Sequence, residues 1–290
     1  MASLYGYEIE SELPLARLNE APGERGRLQV AKAGEPLAAP SGLEPSGVLE
    51  AESGLRWYES YEFDGRCLLK MPPTGSFLLE PEELRVTVEA GDGDAELLEH
   101  RVASSAICTM LAMRGDLALH ASGVEVDGGA VLLCGPSLRG KSTLARVLGK
   151  AGHRLPGEDG IAIDLGAAPV AWPGARGVRM RPAGEVRARS AELAPDPGPG
   201  EPPPSPVRAL VVLAERGKSL RVERLEPLRA LTLFTPNLIH SGGYGAIGAG
   251  FERLARLLHY APAFEAALPD DLDALPGSAE ELLDALDTTG

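Results

Sequence analysis

Apolar positions recur along this chain with different periods, and the changes of period divide it. Leu84, Val86 and Val88 alternate with polar neighbours, the two-residue period of a half-buried strand. The short runs Cys67-Leu68-Leu69 and Phe77-Leu78-Leu79, flanked by Pro, Gly and Asp, extend a β-rich reading over residues 1–94. The segment 91–94 (GDGD) closes that region as a turn; it lacks the further acidic ligands and closing Glu of a calcium loop. From residue 95 to 114 the period lengthens. Leu98, Val102, Ala106, Met110 and Met113 fall three or four apart, which predicts a helix with a core-facing stripe and a stop at Gly115.

Two strands are predicted next, at 117–127 and 130–134, joined by the hairpin signal Asp127-Gly128-Gly129. Residues 135–165 read as a Gly-containing loop, a helix and another strand. Pro and Gly dominate 194–206, which predicts an extended surface loop. Further strands are expected at 207–214 and 220–225. Helical stripes return at Phe251, Leu254, Ala255 and Leu258, and at Ala279, Leu282, Leu283 and Leu286. No internal repeat is visible.

Composition narrows the function. The chain has 290 residues, with 42 Asp and Glu against 28 Lys and Arg, a net charge of −14. An acidic chain lacks the basic face that displaces phosphate counterions, so nucleic acid is not expected as a partner. No apolar stretch is long enough to span a bilayer, and no basic start followed by an apolar run marks a secretory signal. Neither a membrane partner nor export is therefore expected. Cys67, Cys108 and Cys134 lie far apart without metal-ligand spacing and read as reduced, buried thiols of a cytoplasmic protein.

One motif carries chemistry. Gly135-Pro136-Ser137-Leu138-Arg139-Gly140-Lys141-Ser142 satisfies G-x-x-x-x-G-K-[ST], with an apolar strand before it and an amphipathic helix (Leu144, Val147, Leu148, Ala151) after it. Backbone amides of a loop curling into a helix start form an anion cradle. Lys141 reaches the outer phosphates, Ser142 offers a hydroxyl to Mg²⁺, and Thr143 adjoins it. Glu158 and Asp159, just before the next predicted strand, supply acids for a base and a metal ligand. Glu215, after the apolar run 211–213, is a second strand-end acid, read as an ordinary strand end.

Together, Leu119-His120-Ala121-Ser122-Gly123, the AVLLCGPSLRGKSTLA loop and AGHRLPGED resemble the catalytic domain of bacterial HPr kinase/phosphorylases. The string from Tyr5 to Leu15 and the Pro-Gly loop 172–176 with Arg179 and Arg181 are similar to HPr-kinase-related proteins of natural-product clusters, some of which phosphorylate lasso precursor peptides. The resemblance implies an α/β fold, a P-loop kinase of the phosphoenolpyruvate-carboxykinase-like type, over 95–290. The β-rich region 1–94 precedes it. The resemblance further implies ATP and Mg²⁺ as cofactors and a serine hydroxyl as acceptor, on a peptide or small protein. Glu158 falls on the family's general base, Asp159 on its partner acid and His120 on its strand histidine. Three positions depart from the pattern: Leu138 stands for Gly, Thr143 for Glu and Glu158 for Asp.

The expected mechanism follows. Residues 135–143 hold nucleotide, Ser142 and Asp159 hold Mg²⁺, and Glu158 accepts the hydroxyl proton, with His120 nearby. Arg176, Arg179 and Arg181 face an acidic substrate group or the moving phosphoryl. Asn237 and His240 lie in a polar segment read as an ordinary connection, and His153 as a local packing residue. Two alternatives stay open: a nucleotide-binding scaffold that transfers nothing, and a kinase of free serine or a similar metabolite. A peptide kinase needs an open groove beside Glu158, a metabolite kinase a closed pocket. Whether the chain forms a homo-oligomer is not legible.

Overall fold

The computed structural model describes residues 2–50, 56–180, 192–194 and 198–288. It contains two large sheets, each with helices against it. The first sheet has eight strands, in the spatial order Ser3–Leu4, Tyr7–Ser11, Arg27–Lys32, Arg85–Ala90, Gly75–Glu80, Arg66–Met71, Arg56–Phe63 and Gly47–Glu50. Val86 and Val88 point inward, as their alternation predicts, whereas Leu84 lies in the preceding turn with φ +51°.

The expected helix over 95–114 forms, capped by the Asp94 carboxylate on the Glu96 amide and ended by Gly115 at φ +119°. The apolar period does not reveal its middle. Val102–Ile107 winds as a π-helix between the α-helical stretches Ala95–Arg101 and Cys108–Arg114. Val102, Ala106, Ile107, Met110 and Leu111 share one core with Leu28, Val30, Phe77, Leu79, Val86 and Val88 of the first sheet. Full burial of such a side chain stabilises by about 1.5–3 kcal/mol. That apolar burial fastens the helix to the first sheet.

The second sheet is built around three parallel strands: Gly129–Cys134, Ser205–Leu213 and Ala263–Ala267. Both of its faces are covered. Val131 and Leu133 join a core with Leu144 and Leu148 of the helix Lys141–Lys150 and Leu282 of the helix Leu275–Thr288. Ala130, Leu132 and Cys134 join another with Phe234, Leu254 and Leu257. A strand buried on both faces is apolar throughout, which is why AVLLC shows no alternation. Phe251 departs from its expected stripe. It is 42% exposed, and Leu254 and Leu257 carry that helix's buried face.

The strand predicted at 117–127 is two strands. Leu117–Leu119 pairs with Ile161–Asp164, while Ser122–Val126 pairs with Gly129–Cys134. The break falls at His120 and Ala121, so His120 stands at a strand end. The hairpin at Asp127-Gly128 takes φ +49° and +78°, as a tight two-residue turn requires. Among the described residues no helix is long and apolar enough to cross a membrane.

The N-terminal turn docks against the second sheet's loops. The Tyr5 amide donates to Pro173 O at 2.7 Å, and the buried Tyr5 hydroxyl donates to Gly160 O at 3.0 Å. Gly6 sits at φ +78° against the Trp172 ring, which a Cβ would approach to 2.4 Å. Only glycine fits there.

Candidate functional site

The loop after the strand Gly129–Cys134 runs from Gly135 into the helix Lys141–Lys150, at the carboxyl end of the parallel strands. That edge is where open α/β sheets take ligands. Gly135, at φ +127°, passes so close to the neighbouring strand that a Cβ would lie 2.9 Å from Leu213 O. Gly140 caps the helix in the left-handed region, so Lys141 and Ser142 occupy its first turn. Leu138 is also left-handed, at φ +69°, and 58% exposed. Glycine adopts that backbone without strain, and a residue with a Cβ does not.

The buried Lys141 ammonium donates to Gly135 O at 2.7 Å and Pro136 O at 3.3 Å. It therefore lies folded over its own loop. Arg139 pairs with Glu215 at 2.9 Å, and Glu215 is largely exposed. The apolar strand before Glu215 is central, but the acid itself faces solvent beside the loop.

The paired acids diverge. The Ser142 hydroxyl donates to the buried Glu158 carboxylate. Asp159, with φ +64°, turns the other way: its Oδ2 lies 3.0 Å from Nε2 of the buried His100. Of the two acids it is Glu158, and not Asp159, the one expected to share Mg²⁺ with Ser142, that bonds the Ser142 hydroxyl. The left-handed backbone at Asp159 sends successive carboxylates in different directions. Burial pushes the Asp159 carboxyl up, but the hydrogen bond from His100, together with the nearby charge of Arg101, outweighs it. The carboxyl is held well below the usual carboxylate range.

His120 contacts the same turn. Its Nδ1 lies 2.9 Å from Asp159 O and 3.8 Å from Asp159 Oδ1. A carbonyl only accepts, so Nδ1 carries the proton, and Nε2 of a neutral ring is left as an acceptor. The His120 side chain is 40% exposed.

Two buried residues outside the motif brace these groups. Asn237 Oδ1 accepts the Gly135 amide at 2.9 Å, and Asn237 O accepts the His120 amide at 2.7 Å. One asparagine thus fixes the first loop residue and the strand-end histidine. Arg17 donates from Nε to Arg176 O, from Nη2 to Gly177 O at 3.0 Å, and from Nη1 toward His100 Nδ1 at 3.3 Å. Arg17 and His100 were not among the residues singled out by spacing. His100 could have been suspected as a histidine flanking the apolar stripe of a core helix; Arg17 lies 159 residues from Arg176, and no local pattern marks it.

Of the predicted basic trio, Arg176 is described fully. Its guanidinium lies 3.6 Å from Glu201 and its amide donates to Arg17 O at 2.9 Å. Arg179 lies in the strand Val178–Met180, and Arg181 lies outside the described residues. His240 accepts the Gly242 amide at 2.9 Å, and His153 faces Glu125 O at 3.2 Å. A cavity of about 530 Å³ lined by Arg114, Arg253, His240 and Glu62 lies to one side; it does not include Glu158, Asp159 or His120.

Among the described residues no group of three or more His, Cys, Asp or Glu stands ready to hold a metal ion. The hydroxyl of Ser142 and the carboxylate of Glu158 are hard oxygen donors at the start of the loop helix. That pair fits Mg²⁺, which takes few protein ligands and completes its shell with water and phosphate.

No family model matches the chain, and no curated protein matches it. Among solved structures it is similar to the HPr(Ser) kinase/phosphatase from Coxiella burnetii, at 14% identity and a TM-score of 0.31. That match covers 59% of this chain and 91% of that one.

Proposed function

We propose that this chain is an ATP-dependent phosphotransferase that phosphorylates a hydroxyl, the serine of a peptide or small protein. The observation that carries the reading is the contact between Ser142 and Glu158 at the start of the loop helix. It sets a hydroxyl and a buried carboxylate together beside a phosphate cradle that already holds an ammonium.

The loop amides from Ser137 to Thr143 and the helix start bind the β- and γ-phosphates. Lys141 exchanges its two loop carbonyls for phosphate oxygens. Ser142 and Glu158 would hold Mg²⁺, which when bound neutralises charge on the phosphate oxygens. This moves Glu158 from the expected base role to the metal side. Proton acceptance passes to the turn beside it, where His120 presents Nε2 and Asp159 a carboxylate. The acceptor oxygen forms a bond to the γ-phosphorus, and the bond from that phosphorus to the β–γ bridging oxygen breaks. The hydroxyl proton passes to His120, and ADP leaves. In this reading Arg176, which faces Glu201 at 3.6 Å, attracts an acidic group of the substrate. The His120 side chain is 40% exposed, so an acceptor can reach it from solvent.

Incubation with Mg-ATP and serine-containing peptides, read by mass spectrometry, tests the reading. The expected result is a gain of one phosphate, abolished in Lys141→Ala and strongly reduced in Glu158→Gln and His120→Ala. ATP binding without any transfer to a peptide or to free serine would favour the scaffold reading instead.

A further inference from the structure

Arg17 is 6% exposed, and its guanidinium reaches three acceptors on two elements. Two are carbonyls, of Arg176 and Gly177, at the base of the loop that carries Arg176. The third is Nδ1 of His100, itself 3% exposed. A guanidinium only donates, so Nδ1 must accept. The His100 proton therefore sits on Nε2, which faces Asp159 Oδ2 at 3.0 Å. Ser104, in the π-helical turn, bonds the same residue: its hydroxyl donates to His100 O at 2.7 Å. Asp159 in turn receives the Nδ1 proton of His120 on its own carbonyl.

We infer that Arg17 and His100 are positioning residues of the transfer site: Arg17 fixes the His100 tautomer, His100 locks Asp159, and Asp159 aims His120. This rests on the phosphotransferase reading for its kinetic consequence, though not for its chemistry. The chain of contacts gives the N-terminal region a role in building the reactive turn. The same guanidinium ties the Arg176 loop to that turn, so the substrate-side loop and the proton-accepting side share one clamp. Neither residue lies in the loop 135–143. Their loss misplaces groups and leaves the phosphate cradle intact. A misplacement of about 1 Å can cost on the order of 10²-fold in rate.

Two measurements test this. In ¹⁵N-labelled protein at neutral pH, the ring nitrogens of His100 should show a proton on Nε2 and none on Nδ1, and Arg17→Met should relax that preference. A proton on Nδ1 in the wild type overturns the inference whether or not the protein is a kinase. In phosphate transfer, His100→Leu should lower kcat about 10- to 100-fold with the Kd for ATP unchanged. His100→Gln, which keeps a donor near the Nε2 position, should recover most of that loss. Equal rates for folded wild type, His100→Leu and His100→Gln would overturn the positioning role. Absence of transfer in the wild type would sink the kinase reading and leave the tautomer result standing.

Discussion

Asn237 Oδ1 and the amide nitrogen of Gly135 lie 2.9 Å apart, across 102 residues of sequence. The bond joins the segment after the helix Pro227–Phe234 to the first residue of the loop that leads into the helix Lys141–Lys150. Asn237 also donates from Nδ2 to Leu233 O at 3.3 Å, so its amide is held from both ends. Asn237→Ala removes the acceptor of a buried donor, which costs about 1–3 kcal/mol. Chemical denaturation should show that loss, and calorimetry should show weaker ATP binding, because Gly135 sets the first turn of the cradle.

Leu138 carries a different expectation. A non-glycine residue in the left-handed region costs about 1–2 kcal/mol, and glycine in its place adds about 0.5–1 kcal/mol of chain entropy to be lost. The side chain is mostly exposed, so little burial is forfeited. Leu138→Gly should therefore leave stability unchanged or raise it by up to about 1.5 kcal/mol. A urea midpoint clearly below the wild type would contradict this.

The three cysteines are all fully buried, and burial pushes each thiol up to about 12. The reactive thiolate is therefore scarce at neutral pH in the folded protein. Ellman's reagent at pH 8 should find no fast-reacting thiol in the native chain and three after denaturation.

The depressed carboxyl of Asp159 makes a pH-dependent contribution with a definite sign. Its folded value lies below the unfolded one, so the ionised form favours folding above the unfolded value of about 3.9. That contribution falls away as pH drops from there toward the folded value. The stability gap between wild type and Asp159→Asn should be widest near neutrality and narrow below about pH 4. Urea unfolding at several pH values measures it, and a gap that widens in acid would reject the assignment.

Local pattern made much of the strand, loop and helix over 130–150 readable. The apolar strand at 130–134, the two glycines, Lys141 and the amphipathic helix all lie within a short stretch, and hydrogen bonds between near neighbours set their shape. The helix over 95–114 was readable for the same reason. Its π-helical turn was not, because the stripe Val102, Ala106, Met110 looks alike in either winding. The break at His120 also escaped, since an apolar run does not say which neighbour each half will pair with.

What the order of residues fixed by itself is the strand, loop and helix over 130–150 and the presence of acids close behind them, because those depend on contiguous backbone geometry and side-chain type. The different contacts of Glu158 and Asp159 were decided by folding. It hangs on a left-handed backbone at residue 159 and on a histidine 59 residues away. Arg17, His100 and Asn237 joined the site only through packing of the first sheet, its helix and the Asn237 segment onto the second sheet. Apolar burial drives that packing, and it is indifferent to sequence distance.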